Sequence, residues 1–123
     1  MQEKSLQADF VLGNMSRDLM NISFELCNKA EDGKPRFPKL LQRYSDLIIE
    51  ISISINRNIC IANSFRNTDT QRTKYQNLAK GDLVHLSHLI DVAFQNKWIS
   101  EKQHKRWLGL CSNTYWKLIN WIK

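Results

Sequence analysis

Glycine and proline are scarce, at four and two among 123 residues. An all-β chain of this size needs many tight turns, and these two residues are the usual means of making them, so the shortage excludes that class. Long apolar runs are also missing: none approaches the ~18 residues that span a bilayer, and no membrane is expected as a partner. Cysteine is limited to Cys27, Cys60 and Cys111, an odd number without C-x-x-C spacing. That pattern argues against a disulfide framework or a cysteine zinc site and leaves reduced thiols in or near a core. The leading Met1-Gln2-Glu3-Lys4-Ser5 lacks the basic-then-apolar pattern of a secretory signal. A cytoplasmic location is the corresponding expectation.

What is present is enough apolar material for one core. Hydrophobic residues make up 42% of the chain and charged residues 24%, a balance that supports a single domain over residues 1–123. The net charge is +6, unevenly spread. Residues 1–32 carry −3, residues 33–91 carry +4 and residues 92–123 carry +5. A basic body of this kind attracts phosphate backbones by counterion release, and also keeps a small protein in solution.

Helical periodicity runs through the chain. Leu12, Met15, Leu19, Ile22 and Leu26 recur at spacings of three and four and predict a first helix that stops near Asp32-Gly33. Lys34-Pro35-Arg36-Phe37-Pro38 is a firm break, because each proline restricts its predecessor. A second helix is expected to start near Pro38 or Lys39, with Tyr44, Leu47, Ile48, Ile51, Ile55, Ile59 and Ala62 on one stripe. Ile49 through Ile55 also alternates like a strand. The 3.6-residue stripe continues on both sides for about 25 residues, too long for a strand, so helix is the reading. Ile49 and Ile53 then fall off the main stripe and predict a second buried face against another subunit.

Asn67-Thr68-Asp69-Thr70 offers several N-caps for a third helix. That helix places Tyr75, Leu78, Ala79, Leu83, Leu86, Ile90 and Ala93 on one face, with Gly81 inside as a mark of close packing. Ser100 and Gln103 form a capping box at the start of a fourth helix, whose stripe is Trp107, Cys111, Tyr115, Leu118 and Ile122. Long helices joined by short turns predict an all-α, antiparallel up-and-down four-helix bundle.

Catalytic patterns are missing: there is no phosphate loop, no H-E-x-x-H and no nucleophile elbow. Paired Glu-x-x-His motifs for a di-metal bundle are missing as well. Asp82, His85, His88 and Asp91 recur every third residue. Each such step turns about 300° on a helix, so the set sweeps half the cylinder and cannot close on one metal. A His85–His88 pair completed by another helix is the remaining metal-dependent alternative. No catalytic residue, metal or cofactor is assigned.

The basic residues carry more information. Lys34, Arg36, Lys39 and Arg43 gather at the entry to the second helix beside Phe37 and Tyr44. Lys97, Lys102, Lys105 and Arg106 gather at the start of the fourth beside Trp98 and Trp107. In an up-and-down bundle both starts lie at one end, so two distant clusters converge there on positive helix N-termini. Phosphate contacts and stacking on adjacent aromatics follow from that pattern. Lys34, Arg36, Lys39, Arg43, Lys105 and Arg106 are the principal candidates for nucleic-acid contact, with Arg57 and Lys117 secondary. A structural alternative stays open, in which Arg43 pairs with a carboxylate across a subunit boundary and Phe37 packs under the turn. Four tryptophans exceed what one core stripe can hold. Trp116 and Trp121, with Phe37, Tyr44, Ile49 and Ile53, are the candidates for an oligomer interface.

Phe37-Pro38-Lys39 followed by Arg43-Tyr44 resembles the FPK-x-x-x-RY signature of small bacterial four-helix-bundle proteins. These are the accessory variability determinant (Avd) proteins of diversity-generating retroelements and the proteins encoded in 23S rRNA intervening sequences. Ile61-Ala62-Asn63, Ile99-Ser100-Glu101-Lys102-Gln103 and Trp121-Ile122-Lys123 fit the same pattern, so the resemblance covers residues 37–123. It implies a pentameric, basic barrel without an active site. In the retroelement branch that barrel binds the reverse transcriptase together with RNA or DNA and supports mutagenic copying of a template. In the intervening-sequence branch the resemblance implies a structural oligomer that holds a protein partner. The chain departs from the pattern at Tyr115, Trp116, Ile119 and Asn120, where the family often has glycine and a basic residue, and at Asp91, near the position of a usual arginine.

Overall fold

A computed structural model describes residues 10–28, 37–38 and 41–122. Four helices follow the apolar stripes: α1 (Val11–Cys27), α2 (Gln42–Ser64), α3 (Thr70–Gln95) and α4 (Glu101–Ile122). Among the described residues α1 packs on α2 and α4, α3 packs on α2 and α4, and neither diagonal pair is in contact. The fold is therefore an antiparallel up-and-down four-helix bundle. The alternating isoleucines of α2 are helical throughout. Ile48, Ile51, Ile55 and Ile59 are buried, Ile49 is half-buried and Ile53 is exposed.

Each helix pair is pinned by at least one specific polar contact, and together these fix direction and register. Between α1 and α2, Asn56 Nδ2 donates to Ser16 Oγ at 3.0 Å. Between α2 and α3, Ser54 Oγ and Asn58 Nδ2 both donate to Asp82 Oδ2, at 2.7 and 3.2 Å. Between α3 and α4, His104 Nε2 and Asp91 Oδ1 meet at 2.8 Å, and the Cys111 thiol points at the Leu83 carbonyl at 3.5 Å. Between α4 and α1, the buried Trp107 indole N–H donates to Ser23 Oγ at 3.0 Å. Ser16, Ser52 and Thr114, buried on the core side, also donate to helix carbonyls three or four residues earlier, so burial leaves their hydroxyls satisfied.

The caps explain where helices start and stop. Asp69 caps α3 by accepting from Gln71 N at 2.8 Å. Ser100 and Gln103 form the reciprocal box at α4: Ser100 N donates to Gln103 Oε1 at 2.8 Å, and Gln103 N donates to Ser100 Oγ at 3.1 Å. The end of α3 is a Schellman turn, with Trp98 N donating to Ala93 O and Lys97 N to Phe94 O. Lys97 occupies its left-handed position at φ 63°, where glycine is the usual residue.

Four sequence expectations are corrected. The first helix ends at Cys27 and not near Asp32-Gly33, which lie outside the described residues. Leu26 is its last buried residue, and Asn28 leaves the helix with extended backbone, its N–H donating to the Glu25 carbonyl. The second helix starts at Gln42, after a tight turn in which Leu41 N donates to Pro38 O at 2.8 Å. Leu78 is 47% exposed and not a core residue, because α2 and α4 already cover the face centred on Ala79, Leu83 and Leu86. Gly81 is no close-packing position, since a Cβ there would meet nothing within 4 Å.

Candidate nucleic-acid interface

The starts of α2 and α4 lie at the same end of the bundle, hereafter the near end. Phe37, Tyr44 and Trp98 form an aromatic triangle there, with ring centroids 5.4–5.9 Å apart. The Tyr44 hydroxyl donates to the Leu89 carbonyl. This cluster ties the chain entering α2 to the turn between α3 and α4, and so brings Arg43 and Lys97 to one end. Burial pushes the Tyr44 phenol up to about 12, with the neighbouring Cys27 adding to the shift.

The predicted cations divide into groups. Arg43 and Lys102 are exposed, as is Lys97, and they form no ion pair among the described residues. Lys105 sits 3.7 Å from Glu101 on the same helix, and Arg106 sits 3.5 Å from Glu25 of α1. Both pairs are exposed, so each holds its cation only weakly and leaves it able to exchange partners. Lys34, Arg36 and Lys39 lie outside the described residues. Arg57 and Lys117 are exposed but lie toward the opposite end, on diagonal helices, and do not join the near-end group. Positive α2 and α4 N-termini add to the near-end field. Asp46, Asp91, Glu25 and Glu101 reduce it.

The candidate interface residues also separate. Phe37 is only 5% exposed and belongs to the chain's own core, so its ring offers little surface to another subunit. Tyr44 is half-buried with its hydroxyl engaged. Trp121 is half-buried, edge-on to Phe10 at 5.2 Å and beneath the Arg72 guanidinium at 4.7 Å. Ile49 is half-buried, and Ile53 and Trp116 are 42% and 60% exposed. Phe24, Val84 and Val92 are further exposed apolar residues. An apolar groove of about 480 Å³ runs between α3 and α4 past Val84, Leu108, Gly109 and Tyr115.

Among the described residues no group of three or more His, Cys, Asp or Glu side chains is placed to hold a metal. His85 and His88 are both exposed. The thiols are poor nucleophiles at neutral pH: burial pushes Cys111 up to about 12 and Cys27 to about 11, and raises Cys60 as well. No described helix is long and apolar enough to cross a membrane. No protein-family model matches the chain, and no curated protein matches it.

Sequence reasoning missed two features. One is the His104–Asp91 contact, with Phe94 stacked on the imidazole at 4.2 Å, which braces the α3–α4 turn. The spacing from Asp91 to His104 crosses that turn, so no helical period reveals it. The other is the basic character of the opposite end, where Arg66, Arg72 and Lys74 flank the α2–α3 turn. Their clustering was visible in the sequence.

Proposed function

We propose that this chain is a non-enzymatic, self-associating accessory that binds nucleic acid, of the kind its Avd-like motifs imply. Its assembly is a basic homo-oligomer, a pentamer by that resemblance, and its protein partner is a reverse transcriptase that it supports on an RNA or DNA template. The observation that carries the reading is the meeting of Arg43, Lys97 and Lys102 at one end of the bundle around the Phe37–Tyr44–Trp98 cluster. Unpaired cations beside helix N-termini recognise phosphate without reading sequence. Exposed Ile53 and Trp116 support self-association, since large apolar side chains left on a surface gain by mutual burial.

Reversing Arg43→Glu and Lys102→Glu together is expected to weaken RNA binding at least about tenfold and to flatten its salt dependence. Fluorescence anisotropy across a salt series reads both. Unchanged affinity with an unchanged slope would remove the near end from the binding surface. A scaffold that holds a protein partner without nucleic acid is the second reading. It is favoured by the pairing of Lys105 and Arg106 with carboxylates of the same chain. A reverse-transcriptase reading frame beside the gene would separate the first reading from the second.

A further inference from the structure

The end opposite the near end gathers the start of α1, the end of α2, the start of α3 and the end of α4. Four aromatic rings sit there. Phe65 stacks on Tyr75 at 6.0 Å and 15°, and Phe10 meets Trp121 edge-on at 5.2 Å. Cations lie against two of these rings: the Arg72 guanidinium is 4.7 Å from the Trp121 ring centre, and the Lys74 ammonium is 5.5 Å from that of Tyr75. Arg72 also donates to the Phe65 carbonyl at 3.1 Å, which links the α2 end to the α4 end.

Among the described residues cations predominate at this end. Arg66, Lys74 and Lys117 are exposed and Arg72 is half-buried, and none forms an ion pair among the described residues. The one described carboxylate at the α2–α3 turn, Asp69, already accepts the Gln71 N–H as the α3 cap. The near end is different, because there Lys105 and Arg106 are matched by Glu101 and Glu25.

Resting on the nucleic-acid reading above, we infer that this opposite end is a separate surface for single-stranded nucleic acid. Arg66, Lys74 and Lys117 meet the phosphates, and Tyr75 and the Arg72–Trp121 pair receive unstacked bases. Unpaired cations supply the phosphate term. Aromatic and guanidinium planes held among those cations supply a base-stacking term that a duplex, with its bases already stacked inside, cannot use. Single strands are therefore preferred over duplexes, without preference for sequence.

The test is anisotropy with labelled oligouridylate and with a duplex of equal length, using the full chain. The wild type is expected to bind oligouridylate more tightly than duplex. Arg66→Glu with Lys74→Glu is expected to weaken oligouridylate binding at least about tenfold and to reduce the salt slope by about 1.4, for two single-strand phosphate contacts. Tyr75→Leu is expected to weaken it about fivefold with the slope unchanged, because a stacking loss releases no counterions. Thermal melts of both variants verify that the bundle persists. If these variants bind like wild type while Arg43→Glu with Lys102→Glu loses binding, nucleic acid sits at the near end only and the inference falls alone. If the wild type binds neither probe, it falls together with the nucleic-acid reading.

Discussion

Trp107→Ala is expected to destabilise the bundle by about 4 kcal/mol, the largest loss of any single substitution in the core. The indole is 0% exposed and packs on α1 at Ser23, near that helix's C-terminal end. Its removal leaves a large cavity, and it deletes the hydrogen bond from Nε1 to Ser23 Oγ, so a buried hydroxyl loses its partner. At this chain length the loss lowers the melting temperature by roughly 15 °C. Trp107→Phe keeps most of the volume and loses the hydrogen bond, with an expected cost of about 1–2 kcal/mol. Trp116, at 60% exposure, is the internal control, and Trp116→Ala is expected to change the stability of one chain by less than about 0.5 kcal/mol. Urea unfolding followed by circular dichroism reads all three. A Trp107→Ala loss below about 1 kcal/mol would place the indole outside the packed core.

Alkaline destabilisation is the second large effect. Cys27, Cys111 and Tyr44 are weak acids whose neutral forms the fold favours, chiefly because burial disfavours the charged form. The unfolded chain gives up these protons near 9.0 for the thiols and 10.0 for the phenol, whereas the folded chain holds them to about 11 or 12. Above pH 9 the unfolded state therefore binds fewer protons than the native state, and stability falls as pH rises. The stability is fully present below pH 9 and is lost progressively through about pH 12. Cys27 and Cys111 each account for roughly 2 kcal/mol by pH 11. Tyr44 adds a smaller amount because solvent screens it. Urea midpoints at pH 8 and pH 10.5 measure the fall, and Cys111→Ala should flatten it. Equal midpoints at the two pH values would contradict the burial of these groups.

Elements with strong local signals were legible in the sequence. The Ser100–Gln103 box starts α4 as its residues predict, and Asp69 caps α3. The isoleucine run of α2 is helical because its 3.6-residue stripe meets core on both sides, which outweighs the β-propensity of isoleucine. Features set by tertiary contact were not legible. For Phe37 the sequence left two readings open, an oligomer interface and packing under the turn. Only the tertiary contact, with Tyr44 and Trp98 closing over its ring from α2 and the α3–α4 turn, places it in the chain's own core. The polar pins between helices depend on register, and one helix's periodicity does not give another's register. The convergence of α2 and α4 at one end followed from connectivity alone. The pairing of Arg106 did not, because Glu25 approaches from α1, whereas that of Lys105 with Glu101 is an i,i+4 spacing on one helix.

Light-scattering mass across a sizing column, with absorbance at 260 and 280 nm recorded together, tests the central claim most directly. A mass of several 14.5 kDa chains is expected, five by the Avd resemblance, with nucleic acid co-eluting at low salt and released at high salt. A 14.5 kDa monomer with no 260 nm excess at any salt concentration would contradict a self-associating nucleic-acid-binding bundle.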